Sequence, residues 1–197
     1  MSQINIAGDT SGSIAVVAPL VAGSNTITLP ASTGTVLTSV SPASDLPSSI
    51  KGPAFSAYLS SSMGSISSGV DTKITYQSKD FDTGTCYNNT GSTVTLNGIS
   101  VPAYSFAPNV AGYYQINAVF RADNSPTREI IYLYKNGSFL QQGNDITGSA
   151  GVAIILSTIV YANGTSDYFA IYGYATGSPT VTSTSTNRIS ACLLRSA

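Results

Sequence analysis

From Gly112 to Arg121 polar and apolar positions alternate. Tyr114, Ile116, Ala118 and Phe120 fall on one side, and Gln115, Asn117 and Arg121 on the other with Tyr113 and Val119. A period of two is the side-chain period of a strand, and such alternation marks a strand with one face in a core. The next runs, EIIYLYK and SFLQQ, are separated by Asn136-Gly137. Asn and Gly supply the positive φ that a two-residue hairpin turn requires, so this stretch predicts a hairpin. From Gly52 onward similar runs recur with turn residues between them: PAFSAYL, TKITYQSKDF, TVTLNGISV, AYSFA, GVAIILSTIVY, SDYFAIYGY and RISACLL. Valine, threonine, isoleucine and tyrosine dominate these runs, and no window carries a helical stripe. The pattern predicts an all-β chain: a jelly-roll β-sandwich head with almost no helix.

Met1 to Thr38 has a different texture, with no aromatic residue and short apolar runs separated by Gly, Ser, Thr and Asn. Thr26 to Leu29 alternate and end at Pro30, while Thr35 to Thr38 follow a Thr-Gly pair; both predict edge strands. About forty such residues cannot bury a self-sufficient core. A small β-rich module of this kind has to be ordered by copies of itself or by a surface on which it docks. Ser39 to Lys51 is rich in Ser and Pro and has no period, as a linker would. The expected organisation is an anchoring module over 1–38, a linker over 39–51 and a head over 52–197.

Charge narrows the function. The net charge is −1 and only 9% of residues are charged. With no basic stripe, nucleic acid is not an expected partner. No apolar run approaches the roughly 20 residues that span a bilayer, so no membrane insertion is expected. No secretory signal is visible at Met1, which points to synthesis in a cytoplasm. Histidine is absent. This removes the commonest general base, the commonest metal ligand and every Ser-His or Cys-His nucleophile. Paired carboxylates among Asp71, Asp80, Asp82, Asp123, Asp145 and Asp167 are the remaining route to hydrolysis. Most of them lie in Gly/Ser/Thr/Asn-rich stretches, where Asp usually serves its own backbone. The chain therefore reads as a non-enzyme without a cofactor. Cys86 and Cys192 match no metal spacing and read as two small buried thiols, with a disulfide left open. The glycosylation patterns at Asn88, Asn136 and Asn163 read as accidental without a secretory signal.

Alternating strand directions place the loops Ala122–Arg128, Gln141–Gly151 and Ala175–Asn187 at the end of the head distal to the N-terminal module. The tight Asn136-Gly137 and Asn163-Gly164 turns fall at the proximal end. Binding residues often occupy loops held by a rigid scaffold. The candidate contact set is accordingly Asp123, Asn124, Arg128, Asn144, Asp145, Thr182 and Asn187. Twelve tyrosines without a tryptophan raise a sugar-stacking alternative. Tyr132, Tyr134, Tyr168, Tyr172 and Tyr174 lie within predicted strands, however, where packing is the stronger reading, in part against a neighbouring subunit. The run Gly151 to Tyr161 is apolar on both faces, more than a small sandwich needs, and such a surface needs a cover.

Three pieces carry a family resemblance: Pro53-Ala54-Phe55-Ser56-Ala57, the corner Phe106-x-Pro108-x-x-x-Gly112-x-Tyr114, and Lys135-Asn136-Gly137 after a hydrophobic strand. With FDTGTCYN at Phe81 to Asn88 and the closing RISACLL, they resemble the globular head of complement component one-q, a jelly roll of tumour-necrosis-factor type. That pattern usually has an aromatic where this chain has Ile116. The resemblance implies a compact homotrimer. It also carries calcium binding, but the acids here form no dense oxygen-ligand loop, so no metal is expected. The segment GDTSGSI followed by SNTITLPASTGTVLT resembles the N-termini of phage tail-fibre and other virion-surface proteins. Together these imply a virion-surface protein attached to capsid or tail proteins by its N-terminal module, with a trimeric head for adhesion to a host-surface glycan or protein. The alternative is a capsid-decorating or head-fibre protein without a specific receptor.

Overall fold

The computed structural model describes residues 3–7, 13–17, 52–124, 126–148, 151–177, 179–182 and 185–197. The chain divides into two compact units, Met1–Ser41 and Pro42–Ala197. In the first, β1 (Gln3–Ala7) and β2 (Ser13–Val17) form an antiparallel pair, with Gln3 opposite Val17 and Ala7 opposite Ser13. The strands expected at Thr26–Pro30 and Thr35–Thr38 and the linker expected at 39–51 lie outside the described residues.

In the second unit the strands are β3 (Ala54–Tyr58), β4 (Gly64–Ser65), β5 (Thr72–Lys73), β6 (Ser78–Asp82), β7 (Tyr87–Asn88), β8 (Val94–Leu96), β9 (Ile99–Val101) and β10 (Ser105–Phe106). They continue with β11 (Gly112–Phe120), β12 (Arg128–Lys135), β13 (Ser138–Thr147), β14 (Ile154–Ala162), β15 (Phe169–Thr176), β16 (Thr180–Val181) and β17 (Arg188–Ser196). One sheet runs β14-β11-β17-β3-β6; the other runs β13-β12-β15-β10-β7, with β5 also pairing with β15. Every described element is a strand and every pairing is antiparallel, giving the jelly-roll sandwich that the alternation predicted.

The core lies between the sheets, and several residues that carried the family resemblance, among them Phe55, Phe106 and Tyr114, are buried in it. Phe55 stacks on Tyr87 with ring centroids 4.6 Å apart and packs on Phe106 at 4.9 Å. Phe106 in turn meets Tyr114 edge-on at 5.5 Å. Tyr114, Ile116, Ala118 and Phe120 are all buried, so the alternating run of β11 points its apolar side inward. Ile116 is fully buried in place of the usual aromatic. The corner before β11 is closed by the Tyr114 hydroxyl, which donates to the Val110 carbonyl at 2.8 Å. Gly112 is required there because a Cβ would stand 2.4 Å from the Arg195 carbonyl oxygen of β17.

Several sequence expectations are corrected. TKITYQSKDF is not one strand: β5 ends at Lys73 and β6 begins at Ser78, with the buried Ile74 and Tyr76 between them. TVTLNGISV is a hairpin, β8 and β9, turning at Asn97 (φ 49°) and Gly98 (φ 80°), an Asn-Gly signal hidden in a continuous run. SFLQQ extends to Thr147, so most of the expected loop Gln141–Gly151 is strand. Its polar run needs no core face because β13 is an edge strand, joined to β12 through two register shifts. Asp80, Asp82 and Asp145 lie in strands rather than turns. Both cysteines are free; Cys86 is buried as expected, whereas Cys192 is exposed, because the outward positions of β17 are not covered within one chain.

Candidate functional site

The end of the head opposite Gly52 is built from the three segments the strand count brought together. Thr127 N–H donates to the Thr176 carbonyl, Gly148 N–H to the Thr127 carbonyl, and Asp123 exchanges backbone hydrogen bonds with Thr180. The Leu59–Asp71 segment joins them through Met63 N–H on the Val181 carbonyl and Gly69 N–H on the Ala175 carbonyl. At the other end the Asn136-Gly137 turn meets the 163–168 loop: Asn136 donates to Asp167 at 2.8 Å and accepts from Tyr168 N–H at 2.9 Å. Asn136 and Asn163 thus spend their side chains on turns, and Asn88 is buried, which accounts for the three glycosylation patterns structurally.

The seven candidate contact residues occupy this apical end, mostly with committed side chains. Asp123 accepts the Thr182 hydroxyl at 2.5 Å and pairs with Arg121 at 3.1 Å. Arg128 makes a two-pronged ion pair with Asp145 at 2.9 and 2.6 Å. That geometry fits a planar guanidinium on a carboxylate and holds Asp145 below the usual carboxylate range. Asn187 is buried and clamps the Arg121 backbone, accepting its N–H at 2.8 Å and donating to its carbonyl. Asn144 accepts Ile155 N–H at 3.0 Å and so ties β13 to the start of β14. Asn124 is exposed in a left-handed conformation, φ 64°. Two pairs, Asp123 with Thr182 and Arg128 with Asp145, are brought together; the other three stand apart.

Each of the six aspartates is held by a donor, and Asp123 lies near the buried acid Glu129. Asp71 takes the Tyr134 hydroxyl, Asp80 takes Arg188, Asp82 takes Lys79, Asp123 takes Arg121, Asp145 takes Arg128 and Asp167 takes Lys135.

An uncovered apolar surface lies on the outward face of the β14-β11-β17 sheet. β14 alternates inward and outward, which exposes Ile155 (55%), Ile159 (57%) and Tyr161. Tyr113 of β11 packs edge-on against Tyr161 at 5.6 Å, Leu194 is exposed on β17, and Leu140 of the neighbouring edge strand β13 lines a shallow recess with Ile159 and Tyr161. Between the apolar positions sits a polar knot: Gln115 donates to Ser157 at 3.0 Å, and Ser157 donates to Asn117 at 2.9 Å. The two-faced apolarity of Gly151–Tyr161 announced the β14 part of this surface. Leu140 carries a weaker signal: in the adjacent apolar pair Phe139-Leu140 of SFLQQ one residue falls on each face, and Leu140 is the one on this side.

No protein-family model matches the sequence, and no curated protein matches it. Solved structures do. The tumour necrosis factor Eiger from S. frugiperda matches with a TM-score of 0.51 at 10% identity, covering 74% of this chain and 93% of that one. Murine APRIL matches with a TM-score of 0.52 at 8% identity, covering 73% and 99%. The globular domain of zebrafish complement 1qA protein is 14% identical over 74% of this chain and 99% of its own, with a TM-score of 0.47. At such identities the likeness is one of fold: the head is a jelly roll of the tumour-necrosis-factor type.

Proposed function

We propose that this chain is a non-enzymatic protein of a phage virion surface. Its N-terminal module attaches it to capsid or tail proteins. Its head assembles as a homotrimer that holds three apical ends toward a host-surface glycan or protein. The observation that carries the reading is the outward apolar face of Ile155, Ile159, Tyr161, Tyr113 and Leu194. Apolar area removed from water contributes about 25 cal/mol per Å², so a face of this kind is stabilised by a cover. A second and third copy of the same face supply one, and the polar knot of Gln115, Asn117 and Ser157 gives the contact a register. Rigidly held weak sites then gain avidity, because each later contact is effectively intramolecular. The pairing of each of the six described aspartates with a donor favours adhesion over catalysis.

Gold-labelled antibodies against the chain, applied to purified particles, test the reading together with adsorption assays in the presence of the free protein. Label on the particle and blocked adsorption are expected. Label on the capsid without blocking would favour decoration of the shell, and the absence of label would overturn the virion reading.

A further inference from the structure

The other sheet presents a different chemistry on its outward face. Tyr132 and Tyr134 of β12 stand beside Tyr172 and Tyr174 of β15, and the register makes Gln142, Tyr132, Tyr172 and Lys73 one line across four strands. With strands about 4.8 Å apart, that line spans about 14 Å. Tyr134 stacks on Tyr172 at 4.1 Å, and Phe139, 57% exposed, closes the row edge-on to Tyr132 at 5.7 Å. The aliphatic positions of this face, Ile130 and Ala170, are covered, so the exposed surface is ring and hydroxyl rather than hydrocarbon alone. That separates it from the Ile155–Ile159 face.

The hydroxyls mark the difference from packing tyrosines. In the core, Tyr76, Tyr87 and Tyr114 each give their hydroxyl to a backbone carbonyl. On the outward face only Tyr134 is committed, to Asp71 at 2.6 Å. Among the described residues none takes a hydrogen bond from Tyr132, Tyr172 or Tyr174. The charges around them cancel: Asp71 and Asp145 against Lys73, which lies 5.8 Å over the Tyr172 ring, and Arg128, which lies 5.9 Å over Tyr174. A partner matched to this face is uncharged, offers many hydroxyls and has an apolar C–H side to lay against aromatic rings.

We infer that the outward face of β12 and β15 is a binding site for a neutral oligosaccharide, with Tyr132, Tyr172 and Tyr174 as hydrogen-bonding rings and Phe139 as an open stacking surface. The site belongs to a single protomer and lies on a sheet face, bordered on its apical side by the Arg128–Asp145 pair, so it goes beyond the assembly reading and stands without it.

Affinity electrophoresis of the full chain tests this, in gels containing dextran, laminarin or galactomannan, with polygalacturonate and dextran sulfate as charged controls. At least one neutral polymer is expected to retard the protein. Tyr132→Phe/Tyr172→Phe keeps both rings and removes two hydroxyls; it is expected to weaken retardation at least tenfold with an unchanged melting temperature. Tyr172→Ala should abolish retardation. No retardation by any neutral polymer, retardation by the charged polymers alone, or retardation that survives both variants would overturn the assignment. Light scattering run beside each variant identifies the remaining occupant: if Tyr132→Phe/Tyr172→Phe dissociates an assembly, the face is a contact between copies and not a glycan site.

Discussion

Glu129 is a buried acid close to Asp123 and Arg121. It is fully buried on β12, accepts Ala122 N–H at 2.7 Å through one oxygen, and its second oxygen has no partner among the described residues. Burial pushes its carboxyl up to about 7; the nearby Asp123 adds to the rise, while the Ala122 bond and Arg121 oppose it. The sign follows by linkage. Between the unfolded value near 4.5 and the folded value near 7 the native state holds a proton that the unfolded chain has lost. Stability therefore falls as pH rises through that window, with the full loss present above it, about 3 kcal/mol. Asp82, Asp145 and Asp167 are shifted the other way, so their contribution disappears only at more acidic pH. Urea unfolding at pH 5 and pH 8 should show the loss in the native protein and little of it in Glu129→Gln. Equal pH dependence of the two proteins would contradict the assignment. Phe106, at the centre of the aromatic cluster, carries a larger expectation: Phe106→Ala should cost about 3–5 kcal/mol, read as a lower urea midpoint.

Among the elements, the Asn136-Gly137 hairpin shows what a local signal can specify. Asn136 adopts φ 53° and Gly137 φ 81°, and the Asn136 side chain also ties the turn to Asp167 and Tyr168. Asn136→Ala removes both bonds and strains the turn, for an expected loss of about 1–3 kcal/mol by thermal or urea unfolding; a change below 0.5 kcal/mol, within ordinary surface variation, would show that β12 and β13 hold the register alone. Long alternating strands such as β11 were readable because one face is buried along their whole length. β13 was not, because an edge strand with both faces largely exposed carries no hydrophobic period, and Gln141 to Asp145 reads as loop. The same limit applies to the site. Loop positions followed from strand direction, but the pairings of Asp123 with Thr182 and of Arg128 with Asp145 depend on residues 59 and 17 positions apart. The tyrosine row was visible as period-two pairs within each strand, yet its continuity across β12 and β15 is a matter of register that no single strand encodes.

At the scale of the molecule the two outward faces differ in chemistry. One sheet exposes aliphatic Ile155 and Ile159 beside a polar knot, and the other presents a row of half-buried tyrosines, with Phe139 exposed at its edge, over covered aliphatics. Association through the first face would make the assembly sensitive to charge at positions that contribute little to the fold of one chain. Ile159→Lys, outward on β14, should leave the circular-dichroism spectrum of the head intact while lowering the assembled mass, since an unpaired ammonium cannot be buried cheaply between copies. The most direct measurement is light scattering of the full native chain over a concentration series. Three chain masses, stable on dilution and reduced to one by Ile159→Lys, is the predicted result. A single chain mass at every concentration would contradict the account, because the apolar face would then remain open to water and the avidity mechanism would have no scaffold.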